Sequence, residues 1–235
     1  MPNYKRILLK LSGEALAGES GFGIGRNRIS EIAAELAATA RGGVQFGVVI
    51  GGGNFFRGIK ASQTGLQRVT VDSMGMLATV MNALALQDFL QLHQVKARVL
   101  SAISVEPLAE TFTRRAALAS LAAGEIAIFA AGTGSPFFST DTAASLRAAE
   151  IGADVLAKAT KVDGVYDKDP MQHPDARRYQ KISYSDVLKD GLAVMDAAAV
   201  SLCRENRLPV VVFNLNTPGN IGRLAAGEEI GTLIS

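Results

Sequence analysis

Five stretches of this sequence collect the residue types that handle phosphate. Lys10-Leu11-Ser12-Gly13 follows the apolar run Ile7-Leu8-Leu9. A lysine there puts a point charge at the mouth of a buried strand, with a hydroxyl and a bare backbone N–H beside it. Read alone, the stretch is either a phosphate cradle or a solvated lysine before a turn. Gly51-Gly52-Gly53-Asn54 follows Val48-Val49-Ile50, with Arg57 beyond. Successive glycine N–H groups can converge on an anion at a helix start, and an arginine can grip it with two hydrogen bonds. A tight strand-to-helix turn would need only one or two of those glycines. Asp72, in Asp72-Ser73-Met74-Gly75-Met76-Leu77-Ala78-Thr79, stands near the start of a long helical pattern. It reads as a cap, or as an early carboxylate able to accept from ribose hydroxyls.

The fourth stretch is Gly132-Thr133-Gly134-Ser135-Pro136-Phe137-Phe138-Ser139-Thr140-Asp141. Its phenylalanine pair either shapes a pocket for a flat ring or packs in the core. Ser139 or Thr140 can cap the helix that follows. Asp141, in the first turn of that helix, should stay ionised, free to orient lysines or hold a divalent cation. The fifth is Lys158-Ala159-Thr160-Lys161-Val162-Asp163-Gly164-Val165-Tyr166, then Asp169-Pro170. Tyr166 can stack on a base, and Thr160 and Asp169 can hydrogen-bond a nucleoside; a hairpin-like surface loop explains the same residues. No serine or cysteine is set up with a histidine as a nucleophile, since His93 and His173 fall outside these loops. Lysine, arginine, glycine nests and carboxylates are the inventory of phosphoryl transfer, where a protein positions two anions and neutralises charge as it develops.

The elements that must carry these loops alternate along the chain. Apolar runs near 7–9, 47–50, 97–100, 126–130, 155–159 and 210–214 read as buried strands. Between them lie helical patterns. Ile29, Ile32, Ala33, Leu36, Ala37 and Ala40 keep helix spacing until Gly42-Gly43, and further helices are expected over 71–93, 115–123, 139–151, 183–189 and 196–205. A short helix near Ile221 and a last apolar run over 232–234 close the chain. Such alternation predicts an α/β fold with a mostly parallel sheet covered on both faces. Ligands then bind beyond the carboxyl ends of the strands, which is where all five stretches fall.

Composition narrows the class. The 235 residues suit one domain spanning 1–235. The 24 basic and 22 acidic side chains nearly cancel, so the chain is no polybasic nucleic-acid binder and any anion site is local. One cysteine, Cys203, and two histidines leave no disulfide scaffold or Cys/His zinc site. Cys203 falls in a helical apolar pattern and reads as a buried, inert thiol. No apolar run approaches the ~18 residues of a membrane span, and the first ten residues have no signal-peptide core. These features point to a cytoplasmic protein. The 24 glycines have no Walker A arrangement among them, because no Gly-Lys pair occurs.

Taken in order, the five stretches, with Val194-Met195-Asp196 and Gly231-Thr232-Leu233-Ile234, resemble the bacterial uridylate kinases of the amino acid kinase family. The Gly-Asn-Phe-Phe-Arg-Gly, Asp-Ser-Met-Gly-Met and Thr-Gly-Ser-Pro-Phe-Phe blocks set it apart from acetylglutamate kinases and aspartokinases. The resemblance implies a three-layer α/β/α sandwich and the reaction ATP + UMP giving ADP + UDP, with Mg2+. It implies that Lys10, Leu11, Ser12, Gly13 and Gly53 line the ATP phosphates, that Arg57 stands where donor meets acceptor, and that Thr160, Tyr166 and Asp169 hold the ATP nucleoside. Gly52 and Asp72 are implied for UMP, with Asp72 on the ribose. Thr133, Gly134, Ser135, Pro136, Phe137, Phe138, Ser139 and Thr140 would wrap its phosphate and uracil. Lys10, Arg57, Asp141 and Asp196 form the implied transfer machinery, with the carboxylate for Mg2+ left open.

The same resemblance implies a homohexamer assembled from dimers, activated by GTP and inhibited by UTP, with no nucleic acid or membrane partner. Gly18, Glu19, Ser20, Gly21, Phe22 and Gly23 match the family's effector-associated segment, and Arg98 is retained as a basic effector residue. Gln87 and Gln91 stand where some relatives carry an arginine and a histidine. Two other readings compete: a non-catalytic nucleotide-binding protein on the same scaffold, and a kinase for a carboxylate or carbamate. Lys10, Arg57 and Asp141 argue against the first; Asp72 and the Phe137-Phe138 loop argue against the second.

Overall fold

Successive side chains along the strands join opposite cores, which sorts the chain into layers. In this computed structural model, which describes residues 4–18, 21–56, 65–192 and 194–235, odd-numbered Ile7, Leu9 and Leu11 join one apolar cluster and Leu8 joins another. A strand turns successive side chains to opposite faces, so one sheet feeds two cores. Its strands are β1 (Arg6–Leu11), β2 (Gln45–Ile50), β3 (Ala97–Ser101), β4 (Glu110–Thr111), β5 (Ile126–Ala130), β6 (Val155–Thr160), β7 (Lys181–Ile182), β8 (Val210–Asn214) and β9 (Gly231–Ile234). They pair in the order β4-β3-β5-β2-β1-β6-β8-β9-β7. All neighbours are parallel except β8 and β9.

Helices α1 (Arg26–Arg41), α2 (Arg68–Leu92), α3 (Arg114–Ala122), α4 (Thr140–Ile151), α5 (Tyr184–Lys189), α6 (Ala197–Glu205) and α7 (Asn220–Ala225) complete the order. α1, α2 and α7 pack on the face of Ile7 and Leu9, and α3 to α6 on the face of Leu8. This is the expected three-layer α/β/α sandwich. Each fully buried Leu or Ile of these cores contributes about 1.5–3 kcal/mol relative to exposure. Cys203 is fully enclosed, its thiol within 3.2 Å of Ser145 Oγ, and burial pushes its pKa up to about 11.

The structure decides between the two readings of Asp72. α2 begins at Arg68 with Gln67 as its N-cap, so Asp72 lies in the second turn and caps nothing. By length and composition α2 could cross a membrane. Here it lies on the sheet, burying Val80, Ala83, Leu86 and Leu90 in the core. After the glycine triplet the described residues 52–56 make turns in which Phe55 and Phe56 N–H donate to Gly52 O at 3.1 and 3.2 Å; the rest of the stretch expected to follow it, from Arg57 on, lies outside the described residues.

Candidate active site

The period of two decides where the charges meet. Lys10 shares the parity of Leu8, and Lys158 that of Leu156, so both point to the α3–α6 face. β1 and β6 are neighbours in register, with Lys10 opposite Lys158. Two buried ammonium groups side by side would repel. Asp141, in the first turn of α4, lies between them, with Oδ1 2.9 Å from Lys10 Nζ and Oδ2 2.7 Å from Lys158 Nζ. Lys158 also donates to Val194 O. Burial opposes the charge on Asp141, yet the two lysines outweigh it and hold its pKa below the usual carboxylate value. Burial, and then the charge on Lys10, push the Lys158 pKa below its ordinary value against the pull of Asp141.

Lys158 is a functional candidate that its loop's residue types alone do not single out. A lysine interrupting Val155-Leu156-Ala157, level with Lys10 on the next strand, was the available signal.

A consequence concerns pH. Lys158 would shield an anion at this cluster only while protonated, and its pKa is lowered, so an activity that relies on its charge should fall as pH rises before the ordinary lysine range is reached. In a kcat–pH profile, Lys158→Arg should move that alkaline limb upward, since a guanidinium keeps its proton. An unmoved limb would assign it to another group. The stability sign is opposite. Between the folded and unfolded pKa of Lys158 the unfolded chain binds more protons, so this lysine's contribution to stability rises with pH there.

Asp196 holds the helices around this cluster. As N-cap of α6 it accepts from Ala199 N–H at 2.9 Å, from Thr142 Oγ1 at 2.9 and 3.0 Å, and from Ser139 Oγ. Ser139 in turn caps α4, accepting from Asp141 and Thr142 N–H. The cap is therefore Ser139, not Thr140. These carboxylates do not fit a protein-held Mg2+. Both oxygens of Asp141 face lysines, those of Asp196 are committed to caps, and no cluster of three potential ligands occurs among the described residues.

Two cavities flank the cluster. The first, about 620 Å³, reaches from Gly52 and Gly53 to Asp72, Thr133, Phe138 and Thr140. Of the ten residues expected to hold UMP, only Gly134, Pro136 and Phe137 are absent from its wall. Phe137 and Phe138 are 64% and 54% exposed, which excludes core packing of the pair. Phe137 takes a left-handed backbone, φ 72°, and its N–H donates to Asp72 Oδ2 at 2.8 Å. Asp72 also accepts from Arg68 Nε at 2.9 Å, and the Arg68 guanidinium lies 5.8 Å from the Phe137 ring centre. Arg68 is a cation on the cavity wall that sequence reading did not nominate.

The second cavity, about 610 Å³, runs from Lys158 past Thr160 and Tyr166 to Asp169. Both volumes suit small ligands of nucleotide size. Its rim is hairpin-like, with Tyr166 bridging antiparallel to Arg178. The Tyr166 hydroxyl donates to Asp163, raising its own pKa and lowering that of the aspartate. Thr160 Oγ1 donates to Val162 O at 2.6 Å, and Asp169 accepts from Met171 N–H and Gln172 Nε2, both at 2.9 Å. All three expected residues line the wall, with polar groups already committed to local turns.

The first-strand loop joins the two halves. Ser12 caps a short 3₁₀ turn, Gly13–Ala15, and Leu11 O accepts from Gly51 N–H at 2.9 Å. A Cβ on Gly13 would stand 2.5 Å from Gly53 N and 2.6 Å from Gly51 O, so only glycine lets the two loops touch. Arg57, Glu19 and Ser20 lie outside the described residues. Gly21, Phe22 and Gly23 border the glycine loop, Gly23 N–H donating to Asn54 O at 3.0 Å. Arg98 lies near the amino end of β3 and pairs with Glu125 at 3.2 Å and Glu110 at 3.6 Å.

Residues 5–214 match the amino acid kinase family. The fold is similar to the crystal structure of UMP kinase from Bacillus anthracis, with a TM-score of 0.96 and 40% identity over 100% of this chain and 97% of that one. UMP kinase from Ureaplasma parvum matches with a TM-score of 0.93 and 35% identity over 98% of each chain. Uridylate kinase from Archaeoglobus fulgidus matches with a TM-score of 0.76 and 29% identity over the whole of both chains.

Proposed function

The chain belongs to the amino acid kinase family, among its UMP kinases, and on that premise we propose that it transfers the terminal phosphoryl group of ATP to UMP, giving ADP and UDP for pyrimidine nucleotide synthesis. The observation that carries this reading is the Lys10–Asp141–Lys158 cluster, with Lys158 on the wall of one nucleotide-sized cavity and Thr140, the neighbour of Asp141, on the wall of the other. UMP occupies the cavity of Asp72 and Phe138; ATP occupies that of Tyr166, its phosphates running towards Lys10, Ser12 and Gly13.

The acceptor phosphate is already anionic at neutral pH, so the reaction needs no general base. The difficulty is bringing two anions together. Two unit charges ~4 Å apart repel by about 4 kcal/mol at an effective dielectric of ~20. Lys10 and Lys158 oppose that repulsion, and Asp141 holds both ammonium groups at the meeting point. Arg57 adds a further cation, and Asp196 fixes the starts of α4 and α6. ATP would carry Mg2+ as part of the substrate, and the ion would add charge neutralisation at its phosphates. In an ADP-release assay offering UMP, CMP, carbamate and acetylglutamate in turn, UMP alone should support turnover. Release on carbamate or acetylglutamate would favour the carboxylate-type kinase instead.

The outer face of α2 supports self-association; its form, a hexamer built from dimers, rests on the resemblance. Leu77 and Met81, one helical turn apart, are each 51% exposed and form an apolar patch. A single 24.6 kDa species in sedimentation velocity would contradict this. Regulation by GTP and UTP rests on the resemblance, and velocity against GTP at subsaturating ATP tests it; a flat response would remove the activation.

A further inference from the structure

Asn54 and Asn82 are fully buried and hydrogen-bond each other reciprocally: each Nδ2 donates to the other's Oδ1 at 2.8 Å. Each amide has one further N–H. That of Asn54 goes to Gly23 O and that of Asn82 to Gly51 O, both at 2.8 Å. Turning either amide over would set its oxygen against a backbone carbonyl, so the arrangement has one satisfied orientation. Asn82 lies on α2, Asn54 directly follows the glycine triplet, and Gly23 belongs to the segment before α1. Gly13 packs on the same node, where an added Cβ would meet Asn54 Oδ1 at 2.6 Å. Four amide N–H donors thus tie three segments to a single geometry. A second staple from α2 holds the far side of the acceptor cavity: Thr79 Oγ1 accepts from Ala131 N–H at 2.7 Å, and Ala131 has φ 61°.

We propose that Asn54 and Asn82 are positioning residues, a paired unit that sets the Gly51–Gly53 backbone against the reacting phosphates. The proposal rests on the UMP kinase reading. Neither side chain reaches solvent, so neither touches substrate; they act through the peptide groups they hold. Preorganised N–H groups stabilise charge developing in transfer more than charge already present in the bound nucleotides, so loosening them lowers kcat more than it raises KM.

The test uses the full chain with Asn82→Leu, Asn54→Ala and the double variant, each corrected for its folded fraction by circular dichroism. Each single change should lower kcat at least tenfold, with KM for ATP and UMP moving less than threefold. The double variant should lose little more than the worse single, because both changes break one unit. Should Asn82→Leu fail to fold, Asn82→Ser, smaller and still a donor, is measured with the same expectation for kcat. A kcat within threefold of the parent, with only the melting temperature lowered, would make the pair merely structural and overturn the proposal. Multiplicative losses in the double variant would overturn the claim of one unit. An unmodified chain that releases no ADP on UMP would sink the functional reading and this proposal with it, whereas an active parent with unaffected variants defeats the proposal alone.

Discussion

Lys10→Met is expected to lower kcat at least a hundredfold while leaving the fold intact. Lys10 is one of two cations that Asp141 sets side by side, at 2.9 and 2.7 Å from its oxygens. Removing it leaves a balanced Asp141–Lys158 pair, so no buried charge loses its only partner and the melting temperature should change little. The reaction loses a charge aimed at the transferring group, and cations so placed are worth roughly 10³–10⁵ in related phosphoryl transfers. Asp141→Ala separates the roles. It leaves two buried ammonium groups facing each other across neighbouring strands, and breaking a buried ionic partnership costs about 3–5 kcal/mol. Its effect should therefore appear in stability as well as rate. The parent's own acid sensitivity follows from the same carboxylate. Its depressed pKa stabilises the fold above the ordinary aspartate range, and that contribution is lost as pH falls through the folded value. Thermal melts of both variants, alongside kcat, check the pair; a Lys10→Met enzyme within tenfold of the parent would remove Lys10 from the transfer step.

Gly13→Ala is expected to damage fold and turnover together. The new methyl would stand 2.5 Å from Gly53 N and 2.6 Å from Gly51 O, both backbone atoms that cannot swing aside. The loops after β1 and β2 must part to admit it. Overpacking of this kind costs about 1–3 kcal/mol, and in a chain of this size each kcal/mol lowers the melting temperature by roughly 2–4 °C. Misplacing reacting groups by about an ångström can cost 10²-fold in rate. Gly53→Ala is the control for stability. The nearest atom to its added Cβ is Glu14 Cγ at 3.7 Å, so its melting temperature should match the parent. If Gly13→Ala proved as stable as Gly53→Ala, the close approach of the two loops would be wrong.

The layers of this fold were legible because burial imposes strict periods on sequence. Ile29, Ile32, Ala33, Leu36 and Ala37 keep helix spacing, and all five are buried on α1. β4 and β7 were not legible: two residues each cannot display an alternation. In the site, the glycine triplet, the lysine after the first strand and Asp141 announce themselves by type and position. What pairs with what does not. Lys158 is read correctly only through register with β1, and the Asn54–Asn82 link joins residues 28 apart whose types are unremarkable alone. The partners of Arg98 were equally hidden: Glu110 and Glu125 lie 12 and 27 residues on and meet it only through the neighbouring strands.

The central claim is that one phosphoryl group passes between two nucleotides at the Lys10–Asp141–Lys158 cluster. Incubating the enzyme with ATP labelled in its terminal phosphate, UMP and Mg2+, and separating the products, tests it directly. The account predicts label in UDP, formed in step with ADP, and almost none in UDP from Lys10→Met. Label in inorganic phosphate alone, or in no product at all, would contradict it.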